Sequence, residues 1–186
     1  MEDIPCQTKY AAEGPYPEVR TQGRNRRCGL AMLSNVGGGT SEMGAVAAYL
    51  YGALTVPERP EVAECFHKIA IVEMRHLEIF AQLARQLGED PRLWGPIQGR
   101  LKYWTPEYLR YPRGLKQIIQ SAIGDERTAI CKYEQQANWV PDVYVAENLR
   151  RIAADERQHL SVLTGLYESY CGSQDLDLGL KMRATR

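Results

Sequence analysis

The chain has 186 residues, 23 basic and 23 acidic, giving a formal net charge of +0. That length suits one domain with a well-buried core, and the balanced charge offers no global field for nucleic acid or for an anionic membrane. No run of eighteen apolar residues occurs and the N-terminal Met1-Glu2-Asp3-Ile4-Pro5 is acidic without an apolar h-region, so neither a membrane span nor a secretory leader is expected and a cytoplasmic protein is.

Residues 1–24 carry Pro5, Gly14, Pro15, Pro17 and Gly23 with little apolar periodicity, which predicts an extended arm packed on the bundle or on a partner chain. Arg20, Arg24, Arg26 and Arg27 form a basic patch there, read as a solvated segment or a subunit contact. Leu30, Met32 and Leu33 predict a short helix over 25–35, ended or kinked by Gly37-Gly38-Gly39. Thr40 or Ser41 then caps a helix to about 54, with Glu42 in its first turn and Ala45, Tyr49 and Gly52 on one stripe. Pro57 and Pro60 suit the first turn of a helix over 58–87 that stops at Gly88. Residues 88–113 hold four prolines and three glycines among Trp94, Tyr103, Trp104, Tyr108 and Tyr111. A connection this long is expected to be a crossover along the bundle, its aromatics covering the bundle side. A third long helix is predicted over 115–138, with Leu115, Ile119, Ala122, Glu126, Ala129 and Tyr133 on its seam, and Pro141 turns the chain into a fourth that reaches 170. The expected organisation is all-α: an arm and short helix over 1–37, a four-helix bundle over 38–171 with its long crossover between the second and third helices, and a mobile polar tail over 172–186.

One signature occurs twice, as Glu73-Met74-Arg75-His76 and Glu156-Arg157-Gln158-His159. Glu-x-x-His on a helix puts carboxylate and imidazole on one face, within reach of a common point. Both pairs interrupt apolar seams. The first seam runs Val62, Phe66, Ile69, Glu73, His76, Phe80, Leu83, Leu87, and the second runs Val145, Leu149, Ile152, Glu156, His159, Leu163, Leu166, Tyr170. Burying an ionised carboxylate costs several kcal/mol unless something compensates. A lone Glu-x-x-His is short and common and reads best as a pair that satisfies itself. Duplication changes that reading, because Glu42 and Glu126 stand one helix upstream of each pair and give four carboxylates and two imidazoles at the centre of four helices. The chain has three histidines, and two of them lie in these motifs. Tyr49 and Tyr133 repeat as well, each seven residues after the lone Glu of its half, where each hydroxyl can bond a carboxylate of the opposite half.

These residues resemble the ferritin-like di-metal carboxylate proteins, in particular rubrerythrin-type proteins without a rubredoxin domain, and are also similar to manganese catalases. The likeness covers roughly residues 38–171 and rests on Glu42, Glu73-x-x-His76, Glu126 and Asp155-Glu156-x-x-His159, with the tyrosines in support. It implies two iron or two manganese ions per chain, with Glu73 and Glu156 as bridges, Glu42 and His76 completing one metal, and Glu126 and His159 the other. It also implies that Asp155 orients His76 across the site; the equivalent position before Glu73 is Val72, so His159 needs another partner or has none. One position departs from the family. Typical rubrerythrins carry a further glutamate three residues after the lone Glu of the third helix, and here that residue is Ala129.

The implied activity is that of an oxidoreductase acting on hydrogen peroxide or dioxygen, with Tyr49 or Tyr133 in proton or hydrogen-bond roles. A manganese catalase, a ferritin-like iron-oxidising or storage protein, and a structural metal-binding bundle are the alternatives. Five cysteines without a C-x-x-C pair leave no rubredoxin site, so an iron peroxidase of this type takes its electrons from an external donor such as rubredoxin. Cys65 and Cys131 read as small packed residues. A homodimer or larger homo-oligomer is expected, with neither nucleic acid nor membrane as partner. His67 falls off the seam and reads as a surface or interface residue, Arg75, Arg127 and Arg157 are expected to point away from the ligands, and Asp125 either supports Glu126 or faces solvent.

Overall fold

The computed structural model describes residues 10–172; the expected tail over 173–186, the first residues of the arm and Cys6 lie outside that range. Asn25 caps α1 (Arg26–Gly37) by accepting from the Cys28 amide, and Ser41 caps α2 (Glu42–Thr55) by accepting from Gly44. Between them the chain leaves helical conformation at Gly38. α3 (Pro60–Gln86) opens with proline in its first turn and is followed by Gly88 at φ +100°. α4 (Leu115–Trp139) ends at Val140, and Asp142 caps α5 (Val143–Cys171) through the Tyr144 and Val145 amides. Glu42 lies near His76 while Gly52 meets Phe66, so α2 and α3 run antiparallel; Ala137 meets Arg150 while Gln120 meets Tyr167, so α4 and α5 do too.

The crossover contains a feature that the sequence pattern did not predict. β1 (Trp94–Ile97) and β2 (Arg100–Tyr103) pair antiparallel with Trp94 opposite Tyr103 and Ile97 opposite Arg100. Gln98 and Gly99 both take positive φ, 50° and 77°, as a two-residue hairpin turn requires. Pro96 spoils the sequence signal for a strand, yet a two-stranded ribbon has free edges where proline is tolerated. The hairpin sits on the break between α1 and α2. A Cβ on Gly37 would fall 2.6 Å from the Trp94 amide nitrogen, and one on Gly95 would fall 2.8 Å from that of Gly38. Glycine on both sides permits the approach. Of the crossover aromatics, Trp94 packs on the core, whereas Tyr103 and Tyr111 are 61% and 50% exposed.

The core is divided. One apolar cluster joins Met32, Leu33 and Val36 of α1 to Phe80 and Leu83 of α3, Tyr133 and Ala137 of α4, and Leu149 and Ile152 of α5. The other joins Tyr49 of α2 to Phe66 and Ile69 of α3, Ile119 and Ile123 of α4, and Leu163 and Tyr167 of α5. On each long helix the Glu and His positions fall between the two clusters. Tyr167, not Tyr170, closes the α5 seam; a straight helix drifts about 20° per heptad against a strict seven-residue repeat, so after three heptads the buried line has moved to a neighbouring position. Cys65 is buried, while Cys131 is exposed, because it lies off the face that buries Glu126 and Tyr133.

Residues 10–24 lie along α3 and α5. Gln22 N–H donates to Asp142 at 2.6 Å, Asn148 donates to the Glu18 carbonyl at 3.1 Å, and Gln86 donates to the Val19 carbonyl at 2.8 Å. At the α1–α2 break, Lys132 Nζ donates to the carbonyls of Ser34 and Thr40, at 2.9 and 2.7 Å. Beside it Asn35 and Gln136 exchange amide hydrogen bonds in the interior. Among the described residues, no helix is long and apolar enough to cross a membrane.

Candidate metal centre

α2, α3, α4 and α5 each deliver one glutamate to the layer between the clusters, and α3 and α5 each add a histidine one turn further on. Glu42, Glu73, Glu126 and Glu156 are at most 4% exposed, and His76 and His159 are fully buried. Both imidazoles turn Nδ1 inward. His76 Nδ1 stands 3.2 Å from Glu73 Oε2, 3.3 Å from Glu156 Oε1 and 3.9 Å from Glu42 Oε2. His159 Nδ1 stands 3.0 Å from Glu73 Oε1, 2.9 Å from Glu156 Oε2 and 3.6 Å from Glu126 Oε1. Glu73 and Glu156 therefore each give one oxygen to either histidine. Two groups result, Glu42-Glu73-His76-Glu156 and Glu73-Glu126-Glu156-His159, whose donor atoms lie within 4.8 Å of one another.

These groups fit a pair of divalent ions better than they fit each other. His159 Nδ1, Glu73 Oε1 and both oxygens of Glu156 are buried without a hydrogen bond, although they approach to about 3 Å. Apart from the His76 Nδ1–Glu73 Oε2 contact at 3.2 Å, these donors converge on common points and leave much of their bonding capacity unused. Without a cation the charge is frustrated: burial, then repulsion by Glu156 and Glu73, pushes Glu126 up to about 8, and burial with the same neighbours pushes Glu42 well above its ordinary range. Burial opposes ionisation of Glu73 too, but both histidines hold it low, and the carboxylates in turn hold both imidazoles charged against their own burial.

Two tyrosines cross between the halves. Tyr133 OH donates to Glu42 Oε1 at 2.5 Å, and Tyr49 OH donates to Glu126 Oε1. Burial, then the facing carboxylate, raises both phenols well above their usual range, so they remain protonated donors. The histidines differ in their outer partners. Nε2 of His76 lies 3.0 Å from Asp155 Oδ2, whereas Nε2 of His159 is buried with no hydrogen bond. Asp155 also accepts from Tyr16 OH at 2.8 Å, from the Ala12 amide at 2.6 Å and from Arg151. Against its burial, the hydrogen bonds from His76, Arg151 and Tyr16 hold its carboxyl at about 2. Tyr16 and Arg151 were not singled out in the sequence; the arm lacks periodicity, and only the i,i+4 spacing of Arg151 and Asp155 hinted at a pair. Asp125 is exposed and pairs with Arg110, and His67, Arg75, Arg127 and Arg157 are exposed.

A cavity of about 300 Å³ opens between α2 and α4 beneath residues 108–112. Its inner wall is Glu42, Glu73, Glu126, Glu156, Tyr49 and Tyr133.

The rubrerythrin family model matches residues 38–167. The chain belongs to the rubrerythrin family. Among solved structures it is similar to a manganese catalase from Anabaena, with a TM-score of 0.79, 22% identity, and coverage of 88% of this chain and 81% of that one. It is also similar to the bacterioferritin of Desulfovibrio desulfuricans, with a TM-score of 0.61, 23% identity, and coverage of 82% and 86%. A dodecameric thioferritin from Bacteroides fragilis matches at TM-score 0.57 and 19% identity over 80% and 93%. No curated protein matches the sequence. These likenesses establish a ferritin-like fold for this rubrerythrin-family chain.

Proposed function

We propose that the chain is a di-metal oxidoreductase that consumes hydrogen peroxide, of the rubrerythrin peroxidase type, holding two iron or two manganese ions. The observation that carries this reading is the division of Glu73 and Glu156 between the two histidines, one oxygen to each, in a buried layer open to a cavity. Glu42 with His76 and Glu126 with His159 would complete the two sites, and a carboxylate-rich set with one imidazole each suits Fe(II) or Mn(II). Such a pair, when bound, supplies Lewis acidity and two one-electron redox changes at adjacent points.

The chain supplies the rest. Asp155 holds the Nε2 proton of His76, which leaves Nδ1 free as the ligand atom. Tyr133 and Tyr49 steady the terminal carboxylates, and their hydroxyls line the cavity as proton donors to a reacting oxygen. With no C-x-x-C pair among its cysteines, the chain would draw peroxidase electrons from an external donor such as rubredoxin. Dioxygen is the other oxidant that the same site would accept.

A second reading, manganese catalase, is favoured by Ala129. Without the further glutamate of typical rubrerythrins, six donors remain in two matching groups, a set compatible with a manganese catalase, whose disproportionation of peroxide needs no external donor. The dodecameric thioferritin among the similar structures supports a homo-oligomer here, and iron oxidation or storage would need such an assembly. Elemental analysis should find close to two iron or manganese ions per chain. Oxygen evolution from peroxide without a reductant selects catalase, and consumption only with reduced rubredoxin selects peroxidase. His76→Ala or His159→Ala should abolish either activity. No reaction with peroxide or dioxygen after loading with either metal refutes both readings.

A further inference from the structure

The cavity is larger than hydrogen peroxide needs. A water molecule's share of liquid volume is about 30 Å³, and the smallest pockets that enclose organic ligands are about 300 Å³. This cavity, at about 300 Å³, belongs with the second class. Its two ends differ. The inner end carries the buried glutamates and the two tyrosine hydroxyls, while the outer end carries the Arg110–Asp125 pair, whose side chains are 55% and 49% exposed. Between them the wall is mostly apolar, with Ala45, Ala48, Phe66, Ile118, Ala122 and Leu109, and Ser121 beside them. Much of the space comes from alanine where a larger side chain would fill it. Ala129, which replaces the glutamate of typical rubrerythrins, lines it as well.

Taking the peroxide reading above as its basis, we infer that this site accepts organic hydroperoxides with a compact aryl or branched alkyl group. The O–O group would lie at the inner end beside Tyr49 and Tyr133, and the hydrocarbon would occupy the alanine-lined middle, where its burial supplies affinity that hydrogen peroxide lacks. In the reaction the O–O bond breaks, and ROOH with two electrons and two protons gives ROH and H₂O. The electrons come from two equivalents of a one-electron iron–sulfur-type donor such as reduced rubredoxin. An alkyl hydroperoxide has one O–H where hydrogen peroxide has two, so it cannot give up two protons and two electrons to become O₂, and its turnover requires the donor.

The test has two arms. The first compares hydrogen peroxide with cumene hydroperoxide on the metal-loaded protein supplied with reduced rubredoxin. kcat/KM for the organic substrate should equal or exceed that for hydrogen peroxide, and Ala48→Leu should lower the ratio of the two at least tenfold. Ala122→Leu, from the opposite helix, should do the same and serves if the first variant fails to fold. The second arm needs no activity: 2-phenyl-2-propanol, the product alcohol, should bind the metal-free wild-type chain, detected by NMR shifts of the alanine methyls, and should not bind the leucine variants. If hydrogen peroxide is consumed but the alcohol does not bind and cumene hydroperoxide reacts below a tenth of the rate, the inference falls while the peroxide reading stands. Alcohol binding that the leucine variants leave unchanged also overturns it, and inertness toward every peroxide overturns both.

Discussion

Asp155→Asn perturbs one half of the centre and spares the other. Four donors converge on this carboxylate: His76 Nε2, Tyr16 OH, the Ala12 amide and Arg151. The amide of the variant has one acceptor oxygen, so the donors on one side must face an NH₂ group. Hydrogen bonds to charged groups are worth about 1.5–3 kcal/mol each, and partial rearrangement of the arm leaves a loss of roughly 2–4 kcal/mol in stability. Outer partners of metal-ligating histidines contribute about 10–100-fold to metal affinity. The loss should fall on the site built from Glu42, Glu73, His76 and Glu156 alone, because His159 Nε2 has no hydrogen bond to lose. Mn(II) titration of the metal-free protein, followed by EPR of free Mn(II), reads both steps. One step should weaken by about 10–100-fold while the other moves less than threefold, and Tyr16→Phe, which leaves the Asp155–His76 contact, should shift the same step less. Equal weakening of both steps, or of neither, would refute the asymmetry argued from the outer partners.

Four further outcomes are expected. In the metal-free protein, Glu126 titrates near 8 against an ordinary 4.5, and raised folded values for Glu42, His76 and His159 act in the same direction. A raised folded value gives stability at low pH that is lost as pH climbs to the folded value, so the Tm of chelator-treated protein should fall between pH 4.5 and 8. The Tm gained from metal should grow over that window; a flat or rising profile argues against the charge frustration described. Gly52→Ala places a Cβ 2.6 Å from the Phe66 ring, and overpacking of this kind should destabilise by about 1–3 kcal/mol in denaturant unfolding. Lys132→Met removes both bonds across the α1–α2 break, with an expected loss of about 1.5–3 kcal/mol and faster hydrogen exchange near residues 34–40. A Glu73→Ala, Glu156→Ala double variant should hold less than half the metal of the parent by elemental analysis, and undiminished content would defeat the bridging role.

The helices and their seams were legible because they are local: a Glu and a His three residues apart share a face wherever the helix goes, and capping by Ser41 or a stop at Gly88 is a matter of neighbouring residues. Duplication of Glu-x-x-His then made the central layer readable as a group. Three features were not legible, each for its own reason. The hairpin hides behind Pro96 and a turn whose first residue is Gln98. Tyr16 reaches Asp155 from an aperiodic arm, across a distance in sequence that no spacing rule covers. The cavity is made by what Ala45, Ala48 and Ala122 lack, and an alanine on a seam looks the same in sequence whether it packs or leaves space.

The layer of ligands also bears on how the molecule folds. It separates two apolar clusters, one built on α1 and one on α2, that share the long helices but meet across buried carboxylates and imidazoles. Stripped of cations, that layer gives the two clusters no apolar contact across it, and each can melt with little penalty to the other. Divalent ions held there would tie α2, α3, α4 and α5 together at the seam between the clusters and would make the loss of either one the loss of both. Calorimetry would then see two broad transitions in the metal-free chain, a calorimetric enthalpy exceeding the van't Hoff value, and a single sharp one after loading. The metals, on this account, are what make one cooperative unit out of two half-cores.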